Sequence, residues 1–210
     1  MIQVKVDEKN LKYIEKRLGS LKNEAPTVLA RALNSTAKQA RKSIASKAQE
    51  TYTIKSGKFN NAMTIKNARK SKLQAVINSK GSPIPLSSFK VSPASAGQGS
   101  NQPTLRKAKV IKSNKLKELI IPGGESNGKD LKSFVAKFAS GHIAVVQRVP
   151  GTTMKNKKKE QLRELYSISM PKMIGNNKRV MRVVRPVIYR VLKIYINKEI
   201  EKLIAKRGGS

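Results

Sequence analysis

Apolar positions along this chain follow two different periods, and the switch between them divides it. Ile2, Val4 and Val6 alternate with Gln3 and Lys5, which predicts a short strand. Leu11, Ile14 and Leu18 recur at helical spacing, with Asp7 placed to cap the helix and Gly19 to stop it. A longer helix is predicted from near Ala25 to near Glu50, with Pro26 in its first turn, where a missing N–H is tolerated. Wound at about 100° per residue, its Leu29, Leu33, Ala37, Ala40, Ile44 and Ala48 form one stripe. Most of that stripe is alanine, which lets another backbone approach closely. Arg31, Lys38, Arg41 and Lys42 fall on the other side, a basic face turned to solvent or to something anionic.

The middle of the chain reads as strands. Met63 and Ile65 lead into a corner at Ala68–Lys72, and Leu73, Ala75 and Ile77 lead out of it. Residues Ser92 to Thr104, "SPASAGQGSNQPT", have no periodicity and are rich in Ser, Gly and Pro, so a flexible loop is expected there. "LRKAKVIK" and "KELIIP" resume the strand pattern, and the Gly-rich "GGESNGK" follows. "SFVAKFASGHIAVVQRV" predicts a hairpin turning at Ser140–Gly141, although Leu131, Phe134, Val135 and Phe138 would also suit a helix. "TMKNKKKEQ" reads as a basic loop and "ELYSISM" as a last strand.

From about Asn177 the pattern is helical again. Val183, Val184, Val187, Val191, Ile194 and Tyr195 make its main stripe, and Ile188, Leu192 and Ile196 widen it. A helix on the surface of a monomer needs only about 100° of apolar face. This one is apolar over half its circumference or more, which predicts cover on two sides. Pro186 either kinks it or marks its true start. There is no internal repeat. The fold class expected is α+β: N-terminal helices and a long C-terminal helix packed on a mostly antiparallel β-sheet or small barrel. The organisation expected is a single domain over 1–210, with a strand and helices in 1–52, a β-rich core in 62–170 containing the flexible loop 92–104, and the C-terminal helix in 177–206.

Composition changes this picture in two ways. Hydrophobic residues make up 38% of the 210 positions and only nine are aromatic, so a lone monomer would have a thin core and burial against further copies is expected. The balance of 45 Lys and Arg against 12 Asp and Glu leaves a net charge of +33, beyond what solubility requires. Such a charge repels itself and draws polyanions. No apolar run is long enough to span a membrane and no signal peptide precedes the chain, so no membrane partner is expected. The absence of cysteine excludes disulfides, thiolate metal sites and cysteine nucleophiles.

Chemistry of other kinds is sparse. His142, the single histidine, stands beside a turn glycine with no second ligand nearby in sequence, which favours a structural or surface role; no catalytic or metal site and no cofactor is expected. "GGESNGKD" (Gly123 to Asp130) satisfies G-x-x-x-x-G-K, but Asp130 replaces the Ser or Thr that would ligate magnesium, and Glu125 lies inside the loop. Both carboxylates would repel a phosphate, so a polar loop is the better reading and an enzyme the weakest one. The densest basic runs are Ala68–Lys72 and Lys155–Lys159. Neither has interleaved aromatics for base stacking. The candidate contacts to DNA or to an acidic partner are therefore Arg69, Lys70, Lys72, Lys155, Lys157, Lys158 and Lys159, acting on phosphates without regard to sequence. The candidate interface between copies is Val183, Val187, Val191, Ile194 and Tyr195, with Ile188 and Leu192.

Three stretches taken in order, "LARALNSTAKQARKSI" (Leu29–Ile44), "FVAKFASGHIAVVQRV" (Phe134–Val149) and "QLRELYSISMPKMI" (Gln161–Ile174), resemble the phage minor tail protein Z family of tail completion proteins. The chain departs from that pattern after Arg148, where "VPGTTMKNKKKEQ" stands in place of a short proline-containing link, and in the size of its basic excess. The resemblance implies a structural protein of the virion at the head-proximal end of a tail, near its junction with the head. It implies a ring of copies, most simply a hexamer, bounded by tail tube or terminator and head connector proteins, and it brings no catalytic residues. DNA passing through such a ring would give the charge a use. The alternative expectation is a basic RNA-binding protein of ribosomal type, which fits the charge equally well but leaves the long apolar helix uncovered.

Overall fold

In the computed structural model, residues 2–5, 8–54, 58–92, 107–118, 120–121, 131–149, 151–153 and 160–207 are described. The chain is α+β, and every strand pair in it is antiparallel. It divides into two compact units, where one domain is expected from the sequence. The first is built from 1–48, 57–81 and 170–210, and the second from 49–56 and 82–169. Contrary to the expected boundaries, the strands of residues 62–81 therefore belong with the terminal helices.

In the first unit, β1 (Ile2–Lys5) is followed by α1 (Glu8–Leu18). Gly19 ends α1 with φ near +53°, a left-handed conformation that glycine adopts without strain, and a 3-10 turn follows over Gly19–Glu24. The long helix α2 begins at Ala25 and runs to Thr51. All six residues of its expected stripe, Leu29 to Ala48, are buried, joined by Thr36, whose hydroxyl donates to the Ala32 carbonyl one turn back at 2.8 Å. A short α3 (Lys58–Asn61) leads to β2 (Met63–Lys66) and β3 (Gln74–Ser79). These strands form a sheet of order β1-β3-β2. The unit closes with α4 (Met170–Ile174), a π-helical turn over Asn177–Met181 and α5 (Arg182–Arg207). Pro186 lies inside α5, not at its start, because the π turn ahead of it carries the helical path back to Asn177. Tyr13 donates to Asn197 Oδ1 at 3.0 Å, and Arg207 meets Glu24 at 3.5 Å, tying the end of α5 to the N-terminal helices.

The buried face of α5 is a narrow row at four-residue spacing: Val184, Ile188, Leu192, Ile196 and Ile200. The main stripe expected from the sequence lies beside it and is largely uncovered. Val183 is 50% exposed, Val187 39% and Ile194 56%. Both rows are apolar, so periodicity could not say which of them the sheet and α4 would cover.

In the second unit, β4 (Ile84–Pro85) pairs with β12 (Tyr166–Ser167). A three-stranded sheet of order β5-β6-β7 joins Lys90–Ser92, Lys107–Lys109 and Lys117–Glu118. A four-stranded sheet of order β11-β10-β9-β8 joins Gln161–Glu164, Ile143–Val149, Leu131–Lys137 and Ile120–Ile121. None of these sheets closes into the small barrel offered as an alternative; strands of two to four residues dominate, too short to carry continuous staggered pairing around a ring. The stretch Leu131–Phe138, equally compatible with a helix by spacing, is β9. Gly141, at φ near +82°, turns the chain so that β10 returns along it, Val145 opposite Val135. Four consecutive residues of β10, Ala144 to Gln147, are buried, and Gln147 Oε1 accepts from Arg163 at 2.8 Å. The 92–104 loop from residue 93 onward and the Gly123–Asp130 loop lie outside the described residues, as does the Asp7 cap.

Candidate nucleic-acid interface

The corner between β2 and β3 is compact. Arg69 N–H donates to the Lys72 carbonyl at 3.0 Å and Lys72 N–H returns a bond to the Arg69 carbonyl at 2.9 Å, closing a two-residue turn with Lys70 and Ser71 at its tip. Arg69, Lys70 and Lys72 are all exposed. A tip of this kind would ordinarily sway, but this one is anchored. The Asn34 side chain, in the second and third turns of α2, accepts from the Ala68 backbone N–H at 2.7 Å and donates to the Ala68 carbonyl at 3.1 Å. One amide side chain thus replaces the strand partner that Ala68 lacks.

That clamp sets the corner against a defined face of α2. Positions three, four, seven and eight residues from Asn34 share its side of the helix. They are Arg31, Lys38, Arg41 and Lys42. Arg31, Lys38 and Lys42 are exposed and Arg41 is half-buried. Together with Arg69, Lys70 and Lys72 they make a patch of seven cations on rigid supports. Among the described residues none of the seven forms an ion pair. Arg41 adds a directional cue: its Nε–H is buried and has no hydrogen-bond partner among the described residues. A buried donor left in that state costs on the order of 1–3 kcal/mol. An anionic oxygen from outside the chain would satisfy it.

The patch is built for phosphate oxygens and not for bases. It contains no aromatic ring, and its basic side chains stand on a helix face and a turn instead of one recognition helix end. Of the remaining cations singled out by sequence, Lys155, Lys157, Lys158 and Lys159 lie outside the described residues. Among the residues expected between copies, Ile188 is 8% and Leu192 5% exposed, so these two belong to the chain's own core and are not available to a neighbour. Val191 and Tyr195 are half-buried, which leaves Val183, Val187 and Ile194 as the free apolar row.

A second polar cluster stands at the hairpin end of the four-stranded sheet. His142 Nε2 lies 3.3 and 3.4 Å from the two Glu164 carboxylate oxygens, and Tyr166 donates to Glu164 Oε2 at 3.1 Å. The hydrogen bond to Glu164, then its negative charge, then slight desolvation raise the Tyr166 phenol above 10.0. Phe138 stacks on the His142 ring at 5.8 Å. The three side chains are exposed or at the surface, no cavity opens on them, and no group of three or more metal-ligating side chains occurs among the described residues. The cluster locks strand ends and offers no nucleophile.

Asn34 and Arg41 are the functional residues that sequence pattern missed. The one available signal was an asparagine inside a helix, where its amide competes with the backbone and is otherwise unfavourable. No family model, no curated protein and no solved structure matches this chain. No helix among the described residues is long and apolar enough to cross a membrane.

Proposed function

We propose that the chain is a structural tail completion (neck) protein of a tailed bacteriophage, forming a ring at the head-proximal end of the tail that joins the tail tube to the head connector and surrounds the DNA path. The observation that carries this reading is the pairing, on one compact unit, of a cation patch without internal counter-charges and an uncovered apolar row on α5. The apolar row supports assembly with further copies, since such a strip is costly to leave in water. The patch gives the assembly a surface for a polyanion. A hexamer would total about +200, concentrated on whatever passes its cationic faces. Lysine suits a transit surface because its hydrated point charge neutralises phosphates without gripping them. The ordered motifs of the resemblance also support the reading: Asn34 lies in the first of them, and His142 and Glu164, from the second and third, are paired in the folded chain.

The test is light scattering and electron microscopy of the purified protein at rising salt, with duplex DNA and structured RNA titrated in parallel. A salt-resistant ring whose copies meet through Val183, Val187 and Ile194 is expected, with salt-sensitive, sequence-independent DNA binding. A monomer that holds RNA tightly at physiological salt would overturn it in favour of the RNA-binding reading.

A further inference from the structure

A groove of about 440 Å³ lies inside the first unit, between the face of the β1-β3-β2 sheet and the start of α5. Its walls are apolar, with Ile2 and Ile77 from the sheet and Ile174 from α4 among them. Three polar groups interrupt them. Arg185 and Tyr189, one turn apart on α5, form a lip, and both are exposed. Ser79, the last residue of β3, contributes a hydroxyl that is buried and makes no hydrogen bond. Beside it the sheet is incomplete: β1 pairs with Gln74 to Ile77 only, so Asn78 and Ser79 have no strand neighbour on that side among the described residues.

We infer that this groove docks an extended acidic segment of a partner protein, seating one bulky apolar side chain between sheet and helix. Each feature fits that occupant. The unpaired end of β3 offers main-chain groups for an added strand, and the Ser79 hydroxyl offers one more polar contact at the same level. The apolar walls take a side chain of one register face of that strand. Arg185 meets a carboxylate flanking it, and Arg and Tyr are the residue types that most often dominate binding energy at protein contacts. The net charge of +33 selects acidic partners before contact is made. An acyl chain would use the walls but leave the strand edge and the Ser79 hydroxyl unsatisfied. The inference does not depend on ring formation or on DNA binding.

The full chain is panned against a bead-bound random decapeptide library, with washes at about 0.3 M salt to shrink non-specific attraction to a Debye length of a few ångströms. Enriched peptides are then titrated into wild type, Arg185→Glu and Ser79→Leu by amide NMR. Expected are sequences with a bulky apolar residue flanked by Asp or Glu, shift changes confined to residues 77–79 and the first turns of α5, and affinity lower by roughly tenfold or more in Arg185→Glu. Ser79→Leu fills the groove from its wall, and Arg185→Glu alters only an exposed side chain, so a folding failure of the first leaves the second decisive. Failure to enrich such peptides, acidic peptides binding equally well without an apolar residue, undiminished binding by Arg185→Glu, or dodecanoate occupying the groove in place of any peptide would overturn the inference. Loss of DNA binding or of assembly with peptide docking intact would instead count only against the proposed function.

Discussion

Asn34 shows how much one side chain can decide. Its amide bonds both backbone groups of Ala68, and Arg69, Lys70 and Lys72 follow directly. Asn34→Ala would leave the Ala68 N–H and carbonyl without partners in a part-buried place, and stability measured by urea denaturation is expected to fall by about 1–3 kcal/mol. Asn34→Asp keeps the acceptor, loses the donor and places a negative charge amid seven cations, so it should weaken DNA binding more than Asn34→Ala does. Equal binding by the two variants would show that the patch is not the polyanion site. At the other cluster, the raised Tyr166 phenol is neutral in the state that hydrogen-bonds Glu164. The stability it contributes is fully present below the unfolded value near 10 and is lost as pH rises through its higher folded value. Ultraviolet titration of phenolate should show one tyrosine ionising above the ordinary range, and Glu164→Gln should bring it back down. None of these pairings was legible in sequence: 34 residues separate Asn34 from Ala68 and 22 separate His142 from Glu164.

At the scale of elements, the helices and most strands were legible because their signals are local. The α2 stripe is the clearest case, since spacing alone named all six of its buried residues. In α5 the same method identified the helix but not its buried face. Val184, Ile188 and Leu192 and the neighbouring Val183, Val187 and Ile194 are equally apolar, and only packing against the sheet separates them. The two rows should respond differently to mutation. Leu192→Ala is expected to cost about 2–5 kcal/mol in thermal or urea unfolding, the range for emptying a core site. Val187→Ser and Ile194→Ser should stay within about 0.5 kcal/mol for the monomer, as exposed substitutions do. If the proposed ring forms, the same two changes should shift its sedimentation toward the monomer.

For the whole molecule the governing quantity is charge. With 45 cations and 12 carboxylates, most basic side chains cannot find an internal partner, and polyanion binding should be strongly salt-dependent. Replacing Arg69, Lys70 and Lys72 together by Gln should reduce the slope of log K against log salt by about 3 for duplex DNA, each phosphate contact contributing about 0.9. The effect should be the same for duplexes of unrelated sequence. An unchanged slope would place the DNA contacts elsewhere on the chain.

The sequence by itself determined the α+β class, the order of helices and strands, the hairpin at Gly141 and the excess of positive charge. Those follow from hydrogen-bond periods, turn chemistry and counting, all of which act within a few residues. Only the tertiary structure decided that the strands after α3 join the terminal helices in one unit, that half of α5's apolar surface stays open, that Asn34 holds the basic corner, and that a groove with an orphaned hydroxyl lies beside β3. Each of these depends on which distant segments meet. Near-equal local alternatives, such as two apolar rows on one helix, are separated by the free energy of packing and by nothing written within the segment itself.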